Sequence, residues 1–216
     1  MRFRPVTGMM RANRETAYRE EYHGRTTGVN KTLIFIDEGN LTGICSKLNR
    51  SIDWLKLREF LSRDKDLRET FVYAGLPPTT PEWSEFRGKR ERFLHWLEGE
   101  GFYVVRKQGR PTTPQAYKAN VDVMMAAEAI ELSLELRPDT VTLVTGDGDF
   151  GFVACKLRRR GIHVEVAAFE HNLGEDLRIA ASTFIDLSKI IKSSDSFREQ
   201  GDNVRAGVES GYIANS

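Results

Sequence analysis

Residues 141–150, with the sequence VTLVTGDGDF, decide how the rest of this chain is interpreted. The first half is short, apolar and β-branched, which is typical of a strand buried in a parallel sheet. Gly146 and Gly148 then break the strand, and they leave room for a sharp turn and for a bulky anion. Asp147 and Asp149 therefore follow the strand at the end where open α/β sheets bind their ligands. The pair predicts a functional site, although capping of the next helix explains the two acids equally well.

Strand and helix patterns alternate along the chain on both sides of this stretch. Residues 32–36 form a second continuous apolar run, which ends at Asp37. The alternation predicts a parallel sheet with helices on both faces, because parallel strands need long crossover connections. If the first and fourth strands are neighbours, Asp37 and Asp147 flank one crevice at the switch point of the sheet. Five strands are predicted, at 32–36, 71–74, 102–105, 141–144 and 162–167.

The composition is that of an ordinary globular chain with little overall charge. Its 216 residues are 40% hydrophobic and 29% charged, which suits one domain with a core and tails. The net charge of +1 creates no general field that attracts a polyanion, so any basic patch is local. Two cysteines and the lack of a membrane-length apolar run predict a cytoplasmic protein without membrane contact. We predict a flexible basic arm at 1–30, the folded domain at 31–191 and a flexible polar tail at 192–216.

Carboxylates mark three separate segments that the predicted sheet directs to the same side. Asp122 lies in the first turn of a helix predicted at 120–136, which is apolar nearly all round and expected to be mostly buried. The helix dipole alone explains this acid, so it becomes informative only together with Asp37, Asp147 and Asp149. Clustered carboxylates repel unless a cation lies between them, and oxygen ligands without His or Cys favour Mg²⁺ or Mn²⁺ over zinc. The acids therefore predict a metal centre.

Asn40 and two glutamates belong to the same predicted edge of the sheet. The amide of Asn40 suits a metal-bound water or a phosphate oxygen, and its alternative role is to cap the following helix. Glu38 and Glu128 are weaker candidates. Glu128 is expected to support the site or to pack, because its position on the helix differs from that of Asp122.

The folded part has one local concentration of positive charge beside an aromatic residue. It is a predicted loop over 106–118 that contains Arg106, Lys107, Arg110, Tyr117 and Lys118. These residues are predicted to hold the substrate backbone, with the Tyr117 ring available for stacking. Acids, a basic loop and no nucleophilic Ser, Cys or His constellation together indicate phosphodiester hydrolysis by a metal-activated water.

Three sequence blocks resemble, in order and spacing, the signature blocks of the NYN domain, in the LabA-like branch of the PIN-like nucleases. The blocks are residues 35–41 (FIDEGNL), Lys118 with residues 121–123 (VDV), and residues 145–150 (TGDGDF). The resemblance extends over roughly 32–190, and three blocks in the right order are more specific than any one of them.

This resemblance implies a PIN-like three-layer α/β/α fold and a ribonuclease that depends on Mg²⁺ or Mn²⁺ and binds RNA. We expect endonucleolytic cleavage. Asp37, Asp122, Asp147 and Asp149 match the metal ligands of the family, and Asn40 matches the asparagine of the first block. The chain departs from the family pattern at Glu38, Gly39 and Glu128.

The main alternative is a non-catalytic regulator that uses the same fold to bind RNA or a protein. The complete acid set argues against it, because a degenerate site is expected to lose an acid. A net charge near zero suggests that a protein partner, a second copy of the chain or the basic arm supplies part of the grip on RNA. A haloacid-dehalogenase phosphatase fits poorly, because Gly39 stands where its second aspartate is needed. A dinucleotide-binding enzyme fits worse, since no Gly-x-Gly-x-x-Gly follows the first strand.

Overall fold

The structure is a computed structural model, and it describes residues 30–113 and 116–191. The predicted arm lies outside the described residues except for Asn30, and the predicted tail lies outside them altogether. The strands within these residues are β1 (Lys31–Asp37), β2 (Asp66–Leu76), β3 (Tyr103–Gln108), β4 (Arg110–Thr113), β5 (Ala116–Lys118), β6 (Thr140–Val144), β7 (His163–Ala168) and β8 (Thr183–Asp186). The α-helices are α1 (Glu38–Lys47), α2 (Trp54–Leu61), α3 (Ser84–Gly99), α4 (Val121–Leu136), α5 (Phe150–Arg158) and α6 (Glu175–Ala180).

The central sheet has six strands in the order β3-β2-β1-β6-β7-β8, and every pairing in it is parallel. The predicted parallel sheet is confirmed, and the predicted count of five strands falls one short. The strand that the sequence did not reveal is β8, which has only four residues and lies at the edge. Its residues are exposed or half-buried, so it lacks the continuous apolar run of the inner strands.

Helices cover both faces of the sheet, as predicted. On β1, Ile34 and Ile36 pack with residues of α1, α2 and α3. The alternate residues Leu33 and Phe35 pack with residues of α4, α5 and α6 on the opposite face. Both sets of side chains are fully buried, which explains why the strand is an unbroken apolar run rather than an alternating one. The result is a three-layer α/β/α fold.

The switch point of the sheet lies between β1 and β6. From β1 the chain continues to β2 and β3 on one side, and from β6 it continues to β7 and β8 on the other. The predicted adjacency of the first and fourth parallel strands is therefore confirmed. Ile36 pairs with Val144, so the next residues along the chain, Asp37 at the end of β1 and Thr145 just after β6, lie side by side at the edge of the sheet. This is the crevice in which open α/β sheets bind ligands.

Helix α4 is less buried than its composition predicted. Met125, Ala129 and Ser133 form its buried stripe, whereas Val123 and Leu136 are 64% and 50% exposed. The helix belongs to an outer layer and contacts the sheet with one face only, so its apolar content exceeds what its packing uses. None of the helices within residues 30–113 and 116–191 combines the length and apolar character that a bilayer span requires.

Candidate active site

Asp37 occupies the centre of the crevice, at the end of β1. Its side chain is only 7% exposed, and its carboxylate accepts a hydrogen bond from the Asn40 backbone N–H at 3.0 Å. Asp37 therefore caps α1, the role that the sequence offered to Asn40. The pKa of the carboxyl is raised to about 6, mainly by burial and then by the negative charges of Glu38, Asp147 and Asp122, against the lowering effect of that hydrogen bond.

Asp122 and Asp147 therefore both lie near enough to Asp37 to act on its carboxyl, although the three acids come from separate elements. Asp122 is half-buried in the first turn of α4, three residues before Met125, on the stripe that faces the sheet. Asp147 is half-buried in the turn after β6. This convergence is what the predicted topology required.

Asp149 differs from the other three acids. Its side chain is exposed, and it is not among the charges that raise the pKa of Asp37. Asp149 stands at the N-cap position of α5, yet its side chain makes no capping hydrogen bond. Instead its backbone N–H donates to the Asp147 carboxylate at 3.0 Å, which fixes the turn. Helix capping by the side chain thus fails to explain Asp149.

The side chain of Asn40, which follows β1, is hydrogen-bonded to the connections after β6 and β7. Its Oδ1 accepts hydrogen bonds from the Gly146 N–H at 3.0 Å and from Asn172 Nδ2 at 3.2 Å. Asn172 ends a short 3₁₀ turn, Glu170–Asn172, that follows β7. The amide of Asn40 therefore holds the turn after β6 against the connections after β1 and β7, next to the three interacting acids.

The glycines after β6 are needed because another segment packs directly on them. A Cβ on Gly146 would lie 2.2 Å from the Asn172 carbonyl oxygen, and one on Gly174 would lie 2.6 Å from the Gly148 Cα. The Gly174 N–H also donates to the Gly146 carbonyl at 2.8 Å. Gly146 and Gly148 were expected to leave room for a turn and an anion. Around Gly146 that room is filled by Asn172, and neither glycine has a positive φ.

The two glutamates that sequence analysis ranked lower have buried partners. Glu38 is fully buried and forms a two-pronged ion pair with Arg90 of α3, including a 2.7 Å contact from Arg90 Nη1 to Glu38 Oε1. Glu128 accepts a 2.7 Å hydrogen bond from the hydroxyl of the fully buried Tyr73. Burial raises the pKa of that hydroxyl, so Tyr73 remains a donor. Glu128 thus supports the packing of α4 on β2.

The predicted basic loop is instead the end of β3 and the antiparallel hairpin β4–β5. Arg106 pairs with Glu98 at 2.5 Å, and Lys107 Nζ donates to the Asn120 carbonyl at 3.0 Å. Arg110 and Lys118 face each other across the hairpin, and both are exposed. The expectation of a loop was wrong because a local hairpin satisfies the backbone of this short polar segment.

Tyr117 packs inward from that hairpin. Its hydroxyl donates to the Gly75 carbonyl at 3.3 Å, and its ring lies edge-on to Trp83 with 5.5 Å between centroids. A Cβ on Gly109 would lie 2.3 Å from the Tyr117 ring, so the ring fits against bare backbone. These contacts give Tyr117 a structural role that its sequence context did not reveal.

The acids match the ligand chemistry of a hard divalent cation, although they do not form a closed set. Asp122 and Asp147 act on the buried carboxyl of Asp37 from two other elements, and Asp37 takes part in no ion pair within residues 30–113 and 116–191. Across the described residues, no three His, Cys, Asp or Glu side chains lie close enough to form a ready-made metal site. Binding would therefore require the side chains to move towards one another, by rotation about their own bonds.

Residues that sequence analysis missed hold this site in place. Asn172, Gly174, Arg90 and Tyr73 all contact a predicted site residue or its neighbour. The glycine at 174, two residues after an asparagine and just beyond a strand, was the one local signal available. The contacts of Arg90, Tyr73 and Asn172 each join residues that are more than 50 positions apart along the chain, so no local spacing in the sequence predicts them.

The fold and the acidic crevice together define a nuclease-like domain of the PIN-like class, with acids from separate strands and a helix at the switch point of a parallel sheet. The sequence matches the NYN domain over residues 31–189, and the chain belongs to this family, which is part of the PIN-like superfamily. NYN domains bind RNA as a family, and PIN-like nucleases generally use divalent metals. The match does not distinguish the LabA-like branch, which stays a prediction.

A solved structure is also similar to this chain. The crystal structure of a protein of unknown function from Vibrio parahaemolyticus has a TM-score of 0.64 and 23% sequence identity, and the similarity covers 78% of this chain and 99% of that one. At this level of identity the likeness concerns the fold alone. No curated protein matches the sequence significantly.

Proposed function

We propose that this protein is a ribonuclease that hydrolyses RNA phosphodiester bonds with the help of Mg²⁺ or Mn²⁺ at the acidic crevice. The observation that carries the proposal is the buried carboxyl of Asp37, whose pKa is raised first by burial and then by the charges of Glu38, Asp147 and Asp122. Folding does not favour such a cluster by itself, because the ionised acids repel one another in a poorly solvated crevice. A divalent cation removes that penalty.

The acids divide naturally into two roles. Asp37, Asp122 and Asp147 would hold the metal, because the charges of Asp122 and Asp147 both reach the buried carboxyl of Asp37. Asp149 is exposed at the outer rim and is proposed to complete the set from the side open to substrate. A bound divalent cation lowers the pKa of a water molecule and stabilises the leaving oxygen in an in-line displacement.

Asn40 is proposed to act by positioning rather than by contact with substrate. Its Oδ1 is occupied by the Gly146 N–H and by Asn172, so the amide fixes the backbone that carries Asp147. The attacking nucleophile in this proposal is a water molecule whose pKa would be lowered by the bound cation. The sequence-based predictions of endonucleolytic cleavage and a cytoplasmic location form part of the same proposal.

The direct test is cleavage of end-labelled single-stranded and hairpin RNAs with Mn²⁺, Mg²⁺ or EDTA by the wild type and the Asp147→Asn variant. Asparagine can still accept the hydrogen bond from the Asp149 N–H, so the turn is retained while a ligand charge is lost. We expect cleavage only with metal, and a loss of at least about a hundredfold in the variant. Asp53→Asn is the matched control, because the Asp53 carboxylate likewise accepts a hydrogen bond from a backbone N–H, that of Lys56 at 3.0 Å, but lies outside the crevice.

A non-catalytic RNA-binding regulator is the second candidate function. It is favoured by one observation, the absence of a ready-made metal ligand group among the described residues. If the wild type and Asp147→Asn bind RNA equally and neither cuts it with any of the metals, the regulator replaces the nuclease. If cleavage is unaffected by EDTA, the metal centre itself is wrong.

A further inference from the structure

One surface stripe beside the crevice combines an exposed aromatic ring with two cations. Along α5, Phe150, Val153, Ala154 and Leu157 are buried against the core, whereas Phe152 is 66% exposed. Lys156 follows Phe152 at the i+4 position, and its Nζ lies 4.9 Å from the ring centroid. Arg159 continues the spacing just beyond the helix, with helical backbone angles of φ −62° and ψ −15°. We call Phe152, Lys156 and Arg159 the α5 stripe.

The α5 stripe begins at the candidate active site. Helix α5 starts at Phe150, directly after the turn that carries Asp147 and Asp149, and Phe152 lies in its first turn. The helix connects parallel strands, so it runs from the carboxyl edge of the sheet back towards the amino edge. The ring is therefore close to the acids, and the cations lie about one and two helical turns further away.

Within the described residues, the cations of the α5 stripe form no ion pair, although Lys156 already lies over the Phe152 ring. Among the described residues, Lys156 and Arg159 take part in none of the observed ion pairs, and both side chains are exposed. The neighbouring Arg158 is different, since its Nη1 donates to the Ala180 carbonyl at 2.8 Å and joins α5 to α6. The β3 end and hairpin are also less available, because Arg106, Lys107 and Tyr117 are held by contacts within the fold.

We propose that the α5 stripe is the entry path for a single RNA strand into the active site. This inference rests on the proposed ribonuclease function and adds the surface along which the strand would reach the acids. An unpaired base stacks on the Phe152 ring, and the phosphates of the same strand contact Lys156 and Arg159. A duplex keeps its bases paired and stacked inside the helix, so it gains nothing from an exposed phenyl ring. The proposed substrate is therefore single-stranded, or a hairpin cut in its loop.

The test measures binding separately from cleavage by using the full chain with the Asp147→Asn substitution as the parent. Fluorescence anisotropy follows a labelled single strand of about 12 nucleotides, within the usual range of single-strand site sizes, and the matching blunt duplex. Phe152→Ala is expected to weaken single-strand binding by roughly five- to a hundredfold and to leave duplex binding nearly unchanged. Phe152→Trp is expected to retain or strengthen it, because tryptophan keeps the stacking face.

Two control substitutions are placed away from the stripe. Tyr103→Ala removes an aromatic ring of similar exposure, 57%, from the amino end of β3 at the far edge of the sheet, and should not change binding. Lys56→Ala removes an exposed cation from α2 in the other helix layer. The Lys156→Ala/Arg159→Ala double variant should reduce the slope of log affinity against log salt by about 1.4, since each lost phosphate contact accounts for about 0.7, whereas Lys56→Ala should not change it.

The outcomes separate the two hypotheses. If the parent binds neither RNA, the proposed function itself fails. If the parent binds RNA but Phe152→Ala binds as tightly as the parent, or loses single-strand and duplex binding alike, the α5 stripe is not the entry path. A change in oligomeric state on Phe152→Ala with unchanged RNA binding also overturns the inference, because it makes this face a protein interface.

Discussion

Replacing Asp37 by asparagine should stabilise the metal-free protein while removing a proposed metal ligand. The pKa of Asp37 rises from an ordinary value of 3.8 to about 6 in the folded protein. At about 1.4 kcal/mol per pKa unit, the ionised carboxylate costs the folded state roughly 3 kcal/mol at neutral pH. Asparagine carries no charge, yet its side-chain oxygen can still accept from the Asn40 N–H and cap α1.

The pH dependence fixes the sign of this effect. Below the unfolded pKa near 3.8, Asp37 is protonated in both the folded and the unfolded states and costs nothing. As the pH rises towards 6, the unfolded chain releases its proton first, and the wild type loses stability relative to the variant. The advantage of Asp37→Asn should therefore be close to zero at acidic pH, grow between about pH 4 and pH 6, and stay constant above that range.

Urea unfolding in EDTA across this pH range measures the effect directly. We expect a gain of about 2 to 3 kcal/mol at neutral pH, or roughly 5 to 10 °C in Tm for a domain of this size. Added Mn²⁺ should stabilise the wild type and leave Asp37→Asn unchanged. Asp53→Asn tests whether the gain comes from the environment rather than from capping chemistry, because Asp53 caps α2 in the same way at a more exposed position.

The reasoning is refuted if Asp37→Asn is less stable than the wild type at neutral pH in EDTA. It is also refuted if the difference between them does not change with pH, or if Asp53→Asn produces the same gain. Any of these results would mean that the buried carboxyl is well solvated or already neutralised, and that the crevice does not need a cation.

Two further predictions concern the supports of the site. Arg90→Met should destabilise the protein by about 3 to 5 kcal/mol in urea unfolding, because it leaves the fully buried Glu38 charge unpaired. Adding Glu38→Leu should recover most of this loss. If the double variant is as unstable as the single one, packing rather than charge explains the effect. Gly146→Ala should lower stability by about 1 to 3 kcal/mol and reduce cleavage, because its Cβ would lie 2.2 Å from the Asn172 carbonyl oxygen. Gly43→Ala in α1 is its control, since a Cβ there meets nothing within 4 Å, and it should be neutral or slightly stabilising; equal losses at both positions would contradict the packing argument.

The core of the fold was predictable because its signals are local and repeated. The inner strands are continuous apolar runs, and a strand–helix alternation admits few topologies, so the parallel sheet and the adjacency of β1 and β6 followed from the sequence. The edge strand β8 was missed because four half-exposed residues carry no comparable pattern. Helix α4 was predicted to be more deeply buried than it is. Its apolar composition would allow burial on all sides, but a helix in an outer layer contacts the sheet with one face only.

At the candidate site, acids at strand and helix ends were predictable, and their partners were not. Asp37 and Asp147 follow apolar strands, and their convergence is a property of parallel sheets. The Arg90–Glu38 pair and the Asn40–Asn172 contact join residues that are 52 and 132 positions apart in sequence, and they depend on side-chain reach rather than on periodicity. The basic segment was predicted to bind substrate, but Arg106 is paired with Glu98 and the ammonium of Lys107 donates to the Asn120 carbonyl, and these side-chain contacts are not visible in the sequence pattern.

The burial of Asp37 also has an evolutionary consequence. A buried acid whose pKa is raised by its surroundings lowers the stability of the folded state at neutral pH. Selection for stability would therefore not oppose a mutation of Asp37 to a neutral residue. Homologous domains that have lost the proposed activity should quickly acquire asparagine or another uncharged residue at this position, and this change should make them more stable. Across a lineage, persistence of aspartate at position 37 therefore measures continued selection for catalysis more directly than preservation of the fold.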